Sequence, residues 1–249
     1  MSEGIRLNKY IAQAGIASRR RADDLIAQGK VRINGKTVRE LGTIVQPGDR
    51  VDVSGTPIAP VEKMTYLVVH KPPGVMTTMR DPEGRRTIAE LLPKRLPRIV
   101  PVGRLDYDTA GILLMTNDGA LANRLLHPRY GVEKLYRATI SGRLDGEDVR
   151  RLNEGVLLED GEQAAGARVR VVSVRAGASV VDITLHEGRN RQVRRMFETL
   201  GHPVRDLVRL RFGPLSLGDL PLGHTRSLTP KELAALRRVG EEKLGTEGT

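Results

Sequence analysis

An α+β fold in two unequal parts is what the sequence predicts, on three observations. The N-terminal part, up to about Ser54, places two short helical repeats ahead of a hairpin signal. The remainder alternates short strands with only two or three helical stretches. Between them, Ser54-Gly55-Thr56-Pro57-Ile58-Ala59-Pro60 breaks every periodicity and reads as a linker. The expected division is a small domain over residues 4–61, a larger one over 62–240, and a flexible tail over 241–249 rich in Glu, Gly and Thr.

In the small part, Leu7, Tyr10, Ile11 and Ala14 recur at helical spacing, and Gly15 sits where a helix C′ residue belongs. Ser18 is placed to cap a second helix with Ala22, Leu25 and Ile26 on its apolar side and Gly29 as its stop. Val31-Arg32-Ile33-Asn34-Gly35-Lys36-Thr37-Val38 then reads as two strands around a type I′ turn. Gly35-Lys36-Thr37 resembles the end of a phosphate-binding P-loop, but Lys30 stands where the first Gly is required, so ATP binding is rejected. In the larger part, strands are expected at 65–69, 112–115, 136–140, 167–174 and 180–185. Helices are expected at 120–126 and after the capping box Thr229-Pro230-Lys231-Glu232.

Composition narrows the function classes. The chain of 249 residues has 41 Lys and Arg against 30 Asp and Glu, a formal charge of +11, which points to a phosphate-rich partner. No Cys is present, which removes disulfides, thiolate nucleophiles and cysteine metal sites. No apolar run is long enough for a membrane span and no secretory leader is evident, so a cytoplasmic protein is expected. No apolar stripe is left over as an obvious dimer face, so a monomer is expected.

Three places could carry chemistry. Arg19-Arg20-Arg21 fall in the first turn of the second helix, where free amides and the dipole are already positive, an arrangement a phosphate would relieve. With Lys30 they are candidate RNA anchors, the alternative being a solvated charged face. Gly103-Arg104-Leu105-Asp106-Tyr107-Asp108-Thr109-Ala110-Gly111 brings two carboxylates into a tight turn. It lacks the remaining ligands of a calcium loop, and a magnesium site would want a third acid, so no metal is expected. Glu187-Gly188-Arg189-Asn190-Arg191-Gln192-Val193-Arg194-Arg195-Met196-Phe197 leads into a helix whose apolar face is Val193, Met196, Phe197 and Leu200. Arg191 and Arg195 point away from that face, and Arg194 falls on its shoulder, where its stem can lie on the core.

The helix, turn, helix and basic hairpin of the first part resemble the RNA-binding module named after small-subunit ribosomal protein four. Gly103-Arg104-Leu105-Asp106 with Thr109-Ala110-Gly111, then Lys134-Leu135-Tyr136, then Gly188-Arg189-Asn190-Arg191-Gln192-Val193-Arg194-Arg195-Met196 resemble, in order and spacing, the successive motifs of bacterial ribosomal RNA pseudouridine synthases. Asp81-Pro82-Glu83-Gly84-Arg85 and Thr116-Asn117-Asp118-Gly119 are most similar to the branch of that family acting on large-subunit ribosomal RNA, synthase B, and the branch acting on small-subunit ribosomal RNA, synthase A, is its neighbour.

The resemblance implies a mixed, mainly antiparallel sheet and isomerisation of one uridine in large-subunit (23S) ribosomal RNA without cofactor or metal. It makes Asp106 the catalytic carboxylate, by addition to C1′, by addition to the base, or by deprotonation of C2′. It makes Arg194 the cation beside Asp106 and Tyr136 the residue that stacks on the flipped base and assists a late proton transfer. Tyr136 could otherwise be a strand aromatic in the core. Arg104 is a candidate to hold the backbone or fill the vacated stack, and Arg189, Arg191 and Arg195 can reach phosphate. Competing readings are a ribosome-assembly factor that binds RNA without catalysis and a metal-dependent nuclease.

Overall fold

The computed structural model describes residues 4–61 and 63–239, and the tail expected at 241–249 lies outside them. The chain divides into two compact units, Met1–Thr65 with Arg95–Arg98, and Tyr66–Lys94 with Ile99–Thr249. The division falls four residues beyond the boundary expected at 61, and it assigns Arg95–Arg98, expected in the larger domain, to the first unit.

In the first unit, strand β1 (Ile5–Arg6) leads into helices α1 (Leu7–Gln13) and α2 (Arg19–Ala27), followed by β2 (Val31–Ile33), β3 (Lys36–Val38), β4 (Ile44–Val45), β5 (Val51–Val53) and β6 (Thr56–Ile58). Ser18 caps α2 by accepting from the Arg21 amide at 3.2 Å, and Gly15 and Gly29 both take the left-handed conformation just past the helix ends. Asn34 and Gly35, both at positive φ, make the hairpin turn. Leu7, Ile11, Ala22 and Ile26 pack on Val31, Val45 and Val51 as one core. The stretch read as a linker is a correction: Ser54 and Gly55 turn at positive φ and Thr56–Ile58 pairs antiparallel with β5 as an edge strand. Pro57 is tolerated there because an edge strand leaves one side of its ladder unpaired.

The second unit contains β7 (Tyr66–Lys71), β8 (Val100–Pro101), β9 (Ala110–Thr116), α3 (Gly119–Leu126), β10 (Lys134–Ser141), α4 (Gly146–Glu154), β11 (Val156–Leu157), β12 (Gln163–Ala164), β13 (Arg168–Arg175), β14 (Ala178–Leu185), α5 (Gln192–Thr199), β15 (Val204–Phe212), β16 (Leu215–Ser216), β17 (Thr225–Ser227) and α6 (Pro230–Arg238). Its sheet runs β13-β14-β10-β15-β9-β7-β17, with β16 on β15 and β8 on β9. Every pairing is antiparallel except β15 with β9, so the sheet is mixed and mainly antiparallel. All seven residues of β9 are buried, as a strand between two neighbours and covered on both faces must be. One core gathers α4, α5 and strands β10, β14 and β15, with Met196 and Phe197 fully buried on the face of α5 that the periodicity defined. Burying such a side chain stabilises the fold by roughly 1.5–3 kcal/mol. A second core joins α3 and α6 to β7 and β9. Thr229 and Glu232 form the expected capping box on α6.

The parallel joint is short, with Val208 opposite Ala110 and Arg209 opposite Gly111. Gly111 has φ +124°, and a Cβ there would come within 2.8 Å of the Arg209 Cα and closer still to its N and O. Replacing Gly111 with Ala is therefore expected to cost on the order of 3 kcal/mol, from strained φ plus a displaced strand. Denaturant unfolding measures it, and a cost under about 0.5 kcal/mol would mean that the β9–β15 approach is not fixed by this residue.

Candidate active site

Residues 103–109 form the turn between β8 and β9, and every backbone carbonyl from Leu105 to Thr109 is met. Thr77 brackets Leu105, its hydroxyl donating to the carbonyl at 2.6 Å and accepting from the amide at 3.2 Å. The Gly74 amide donates to the Tyr107 carbonyl at 2.8 Å, and the Thr109 amide closes the turn on the Asp106 carbonyl at 3.1 Å. Lys71, the last residue of β7 and the partner of Gly111 across the sheet, is completely buried. Its Nζ donates to the carbonyls of Asp106 (2.9 Å), Thr109 (2.8 Å) and Pro72 (3.0 Å) and lies 3.5 Å from that of Tyr107. Burial lowers its pKa from 10.5 to about 8, against the pull of Asp106 and Asp108.

The two carboxylates of the turn have different surroundings. Asp108 faces α5: Arg194 Nη2 donates to its backbone oxygen at 3.0 Å and lies 3.2 Å from its Oδ2, while Arg191 Nη1 is 3.2 Å from Oδ1. The cation that the resemblance places beside the Asp106 carboxylate thus pairs with Asp108. Arg194 is 4 % exposed, deeper than the shoulder position implied, because its Nη1 also reaches the Val204 carbonyl at 2.9 Å and draws the group inward. Arg191 takes the left-handed conformation at φ +47°, ψ 30° at the start of α5, a strain of the kind found beside functional groups. Asp106, half-buried, lines a cavity of ≈ 200 Å³.

The cavity opens where the two cores meet. Its floor is a face of the sheet: Tyr136 lies opposite Ile183 of β14 and Arg209 of β15, and Lys134, two residues earlier, opposite Leu185 and Phe212. Its walls are the turn with Arg104 and Asp106, the end of α3 with Leu125 to Pro128, and residues 186–193 including Glu187, Arg189 and Arg191. Tyr136 also packs against the core under α5, so it is at once a core aromatic and a lining residue. Arg189 is held by Glu187 at 3.1 Å, and Arg195 pairs with Asp160 and with Glu162 at 3.1 Å. Their charges are partly met within the protein, and Arg195 does not line the cavity. Arg19, Arg20, Arg21 and Lys30 stand exposed on the first unit, with Arg21 paired to Asp24 at 3.3 Å.

Four side chains of this site are not evident from the sequence. Lys71 and Thr77 look like a strand end and a loop residue, and only the run Lys71-Pro72-Pro73-Gly74 hints at a special backbone. Lys134 stands out only as part of a motif, and Arg209 is one of seven arginines over 189–211, although it is 2 % exposed. Among the described residues, no three His, Asp or Glu side chains gather as a metal site.

Comparison with known proteins gives the family. The model for the RNA pseudouridylate synthase family matches residues 65–199 and that for the S4 domain matches residues 5–51. A ribosomal large subunit pseudouridine synthase B of Bacillus subtilis is 44% identical over 95% of this chain and 97% of its own. The chain belongs to the RNA pseudouridine synthase family. A protein of Aquifex aeolicus named as an uncharacterized RNA pseudouridine synthase is 44% identical over 93% of each chain. A crystal structure of a pseudouridylate synthase superposes with TM-score 0.69 at 30% identity, covering 93% of this chain and 99% of that one. The enzyme is thus an isomerase that carries an S4 RNA-binding domain.

The buried lysine leads to an expected pH dependence. Between about pH 8 and 10.5 the folded enzyme releases the Lys71 proton that the unfolded chain still holds, so this group makes stability rise with pH there. The turn meanwhile loses its charged donor. Isomerisation rates are expected to fall through about pH 8 while the melting temperature holds, and a melting temperature that fell in step with the rate would trace the loss to unfolding. Lys71→Met is expected to lower the rate ~100-fold at neutral pH, as misplacement of a catalytic group by about 1 Å does.

Proposed function

We propose that this enzyme isomerises a specific uridine to pseudouridine in large-subunit (23S) ribosomal RNA, with Asp106 as the catalytic carboxylate and no cofactor. The observation that carries the proposal is the unequal treatment of the two acids of one turn. Asp108 is committed to Arg191 and Arg194, and Asp106, whose backbone carbonyl is held by Lys71 and by the Thr109 amide, lines the cavity together with Tyr136. The similarity to the large-subunit synthase B of Bacillus subtilis over nearly the whole chain supports that RNA as the substrate.

The reaction breaks C1′–N1 and C5–H and forms C1′–C5 and N1–H, so it moves no net electrons and consumes no co-reactant. What it requires is a base taken out of its stack, a carboxylate at the sugar, and a surface on which the free base can turn. Asp106 supplies the carboxylate and the Tyr136 ring the surface. Arg104, exposed at the rim, holds the backbone or the vacated stack. Unstacking costs a few kcal/mol, which phosphate contacts from Arg19, Arg20, Arg21 and Lys30 on the S4 domain and from Arg191 offset.

Pseudouridine mapping by carbodiimide modification and primer extension on both ribosomal RNAs tests the reading. Wild-type enzyme is expected to produce one new stop, on 23S RNA, that Asp106→Asn does not. A stop only on the small-subunit RNA would overturn the substrate, and a stop retained by Asp106→Asn would overturn the carboxylate's role. Separately, Glu at Arg19 and Arg20 together is expected to weaken RNA binding and flatten the plot of log K against log salt by about 2; an unchanged slope would remove these residues as anchors.

A further inference from the structure

Two cations stand on the cavity floor, and among the described residues no carboxylate is hydrogen-bonded to either. Arg209 is 2 % exposed; its Nε donates to the Ile112 carbonyl at 2.9 Å, its guanidinium lies 5.1 Å from the Phe212 ring centre, and its Nη2 is buried without a partner. Lys134 donates to the carbonyls of Val132 (2.9 Å) and His186 (3.4 Å), which leaves the third proton of its ammonium free. Both flank Tyr136 on one face of the sheet, Arg209 directly across from it and Lys134 two residues along its own strand. Burial and the nearby Arg209 lower the Lys134 pKa to about 8, with Glu187 opposing. Holding two cations together with no carboxylate hydrogen-bonded to either opposes folding; Asp106 and Glu187 are the acids that line the same cavity, and Glu187 acts on Lys134.

We propose that Lys134 and Arg209 are the receptor for the carbonyl oxygens of the uracil, and that they hold the detached base as an anion. The inference rests on the isomerase chemistry of the family and not on which ribosomal RNA is modified. When C1′–N1 breaks, the bonding pair stays with N1 and spreads onto O2 and O4. Donors already placed at those oxygens bind this state more tightly than the neutral uridine, which is the condition for lowering the barrier. C5 then attacks C1′ with a ring electron pair, the proton leaves C5, and N1 regains one, so atoms and charge balance without an added reagent. A base resting on Tyr136 by stacking alone is free to rotate, and a charge held between two donors on one edge keeps it in the cavity while it does so.

The test uses the full chain with two probes. Binding of 5-nitrouracil, ionised at neutral pH, is compared with that of uracil, which is not, by chemical-shift titration of the wild type, Lys134→Met and Arg209→Lys. The wild type is expected to prefer the anion at least ~10-fold, the worth of one charge-assisted hydrogen bond, and Lys134→Met to lose that preference while keeping its melting temperature. Single-turnover tritium release from transcripts of both ribosomal RNAs labelled at uridine C5 gives the second readout. Here Lys134→Met is expected to lower the rate ~100-fold, as loss of one donor to a developing anion does, with RNA affinity changed less than ~3-fold. No preference for the anion in the wild type, a preference that survives in Lys134→Met, or a rate loss matched by lost affinity would each overturn the proposal. Failure to modify 23S RNA would bear on the substrate alone, because the anion preference is read without RNA.

Discussion

The turn that carries Asp106 depends on one buried ammonium. A tight turn leaves carbonyl oxygens pointing at each other, and enclosed away from water each needs a donor. Lys71 serves three of the four oxygens from Asp106 to Thr109, and Arg194 takes the remaining one, that of Asp108. A neutral side chain in place of Lys71 would take this donor from the Pro72 and Thr109 carbonyls and a second donor from those of Asp106 and Tyr107. The position of the ammonium is set by sheet register, since Lys71 pairs with Gly111, the residue that lets β9 approach β15. Sheet pairing, turn and cavity are therefore one mechanical unit, held from the strand end by Lys71 and from the following loop by Gly74 and Thr77.

Arginine does different work in different places in this chain. Arg194 and Arg209 are buried and tied to backbone oxygens, where the planar guanidinium acts as a brace. Arg189 and Arg195 are met by Glu187, Asp160 and Glu162, which tempers the charge beside the cavity. The arginines at the start of α2 are exposed on the S4 domain, and Arg21 has Asp24 as its acid. A net charge of +11 is thus a poor guide to where phosphate binds, because it does not separate exposed arginines from buried ones tied to the backbone.

Local chemistry was legible in the sequence and long-range accommodation was not. The Ser18 and Thr229 caps, the Asn34-Gly35 turn and the apolar face of α5 follow from residues within a few positions of one another, and they formed as the periodicities indicate. Strand β15 escaped because Arg205, Arg209 and Arg211 interrupt its apolar alternation; its place beside β9 and β10 is decided by partners far away in sequence. The same holds for β6, where Pro57 argued against a strand that the edge of a sheet accepts. Asp106 and Tyr136 were legible as motif residues. Lys71 and Thr77 were not, because their task is to satisfy carbonyls about thirty residues away, and no spacing rule reports that.

The pairing of Arg194 with Asp108 leaves the Asp106 carboxylate, among the described residues, without an ion pair. A direct ion pair would occupy the oxygens of Asp106, and in the proposed reaction attack at the sugar or removal of a proton needs one of them free. Placing the guanidinium one step behind, on the neighbouring carboxylate and its backbone oxygen, orients the turn without covering the reactive group. The cavity is lined by further cations, Lys134, Arg209 and Arg191 among them. The same cations face the base once it is detached. In the proposed reaction this set of positive charges meets the negative charge as it develops on the leaving base.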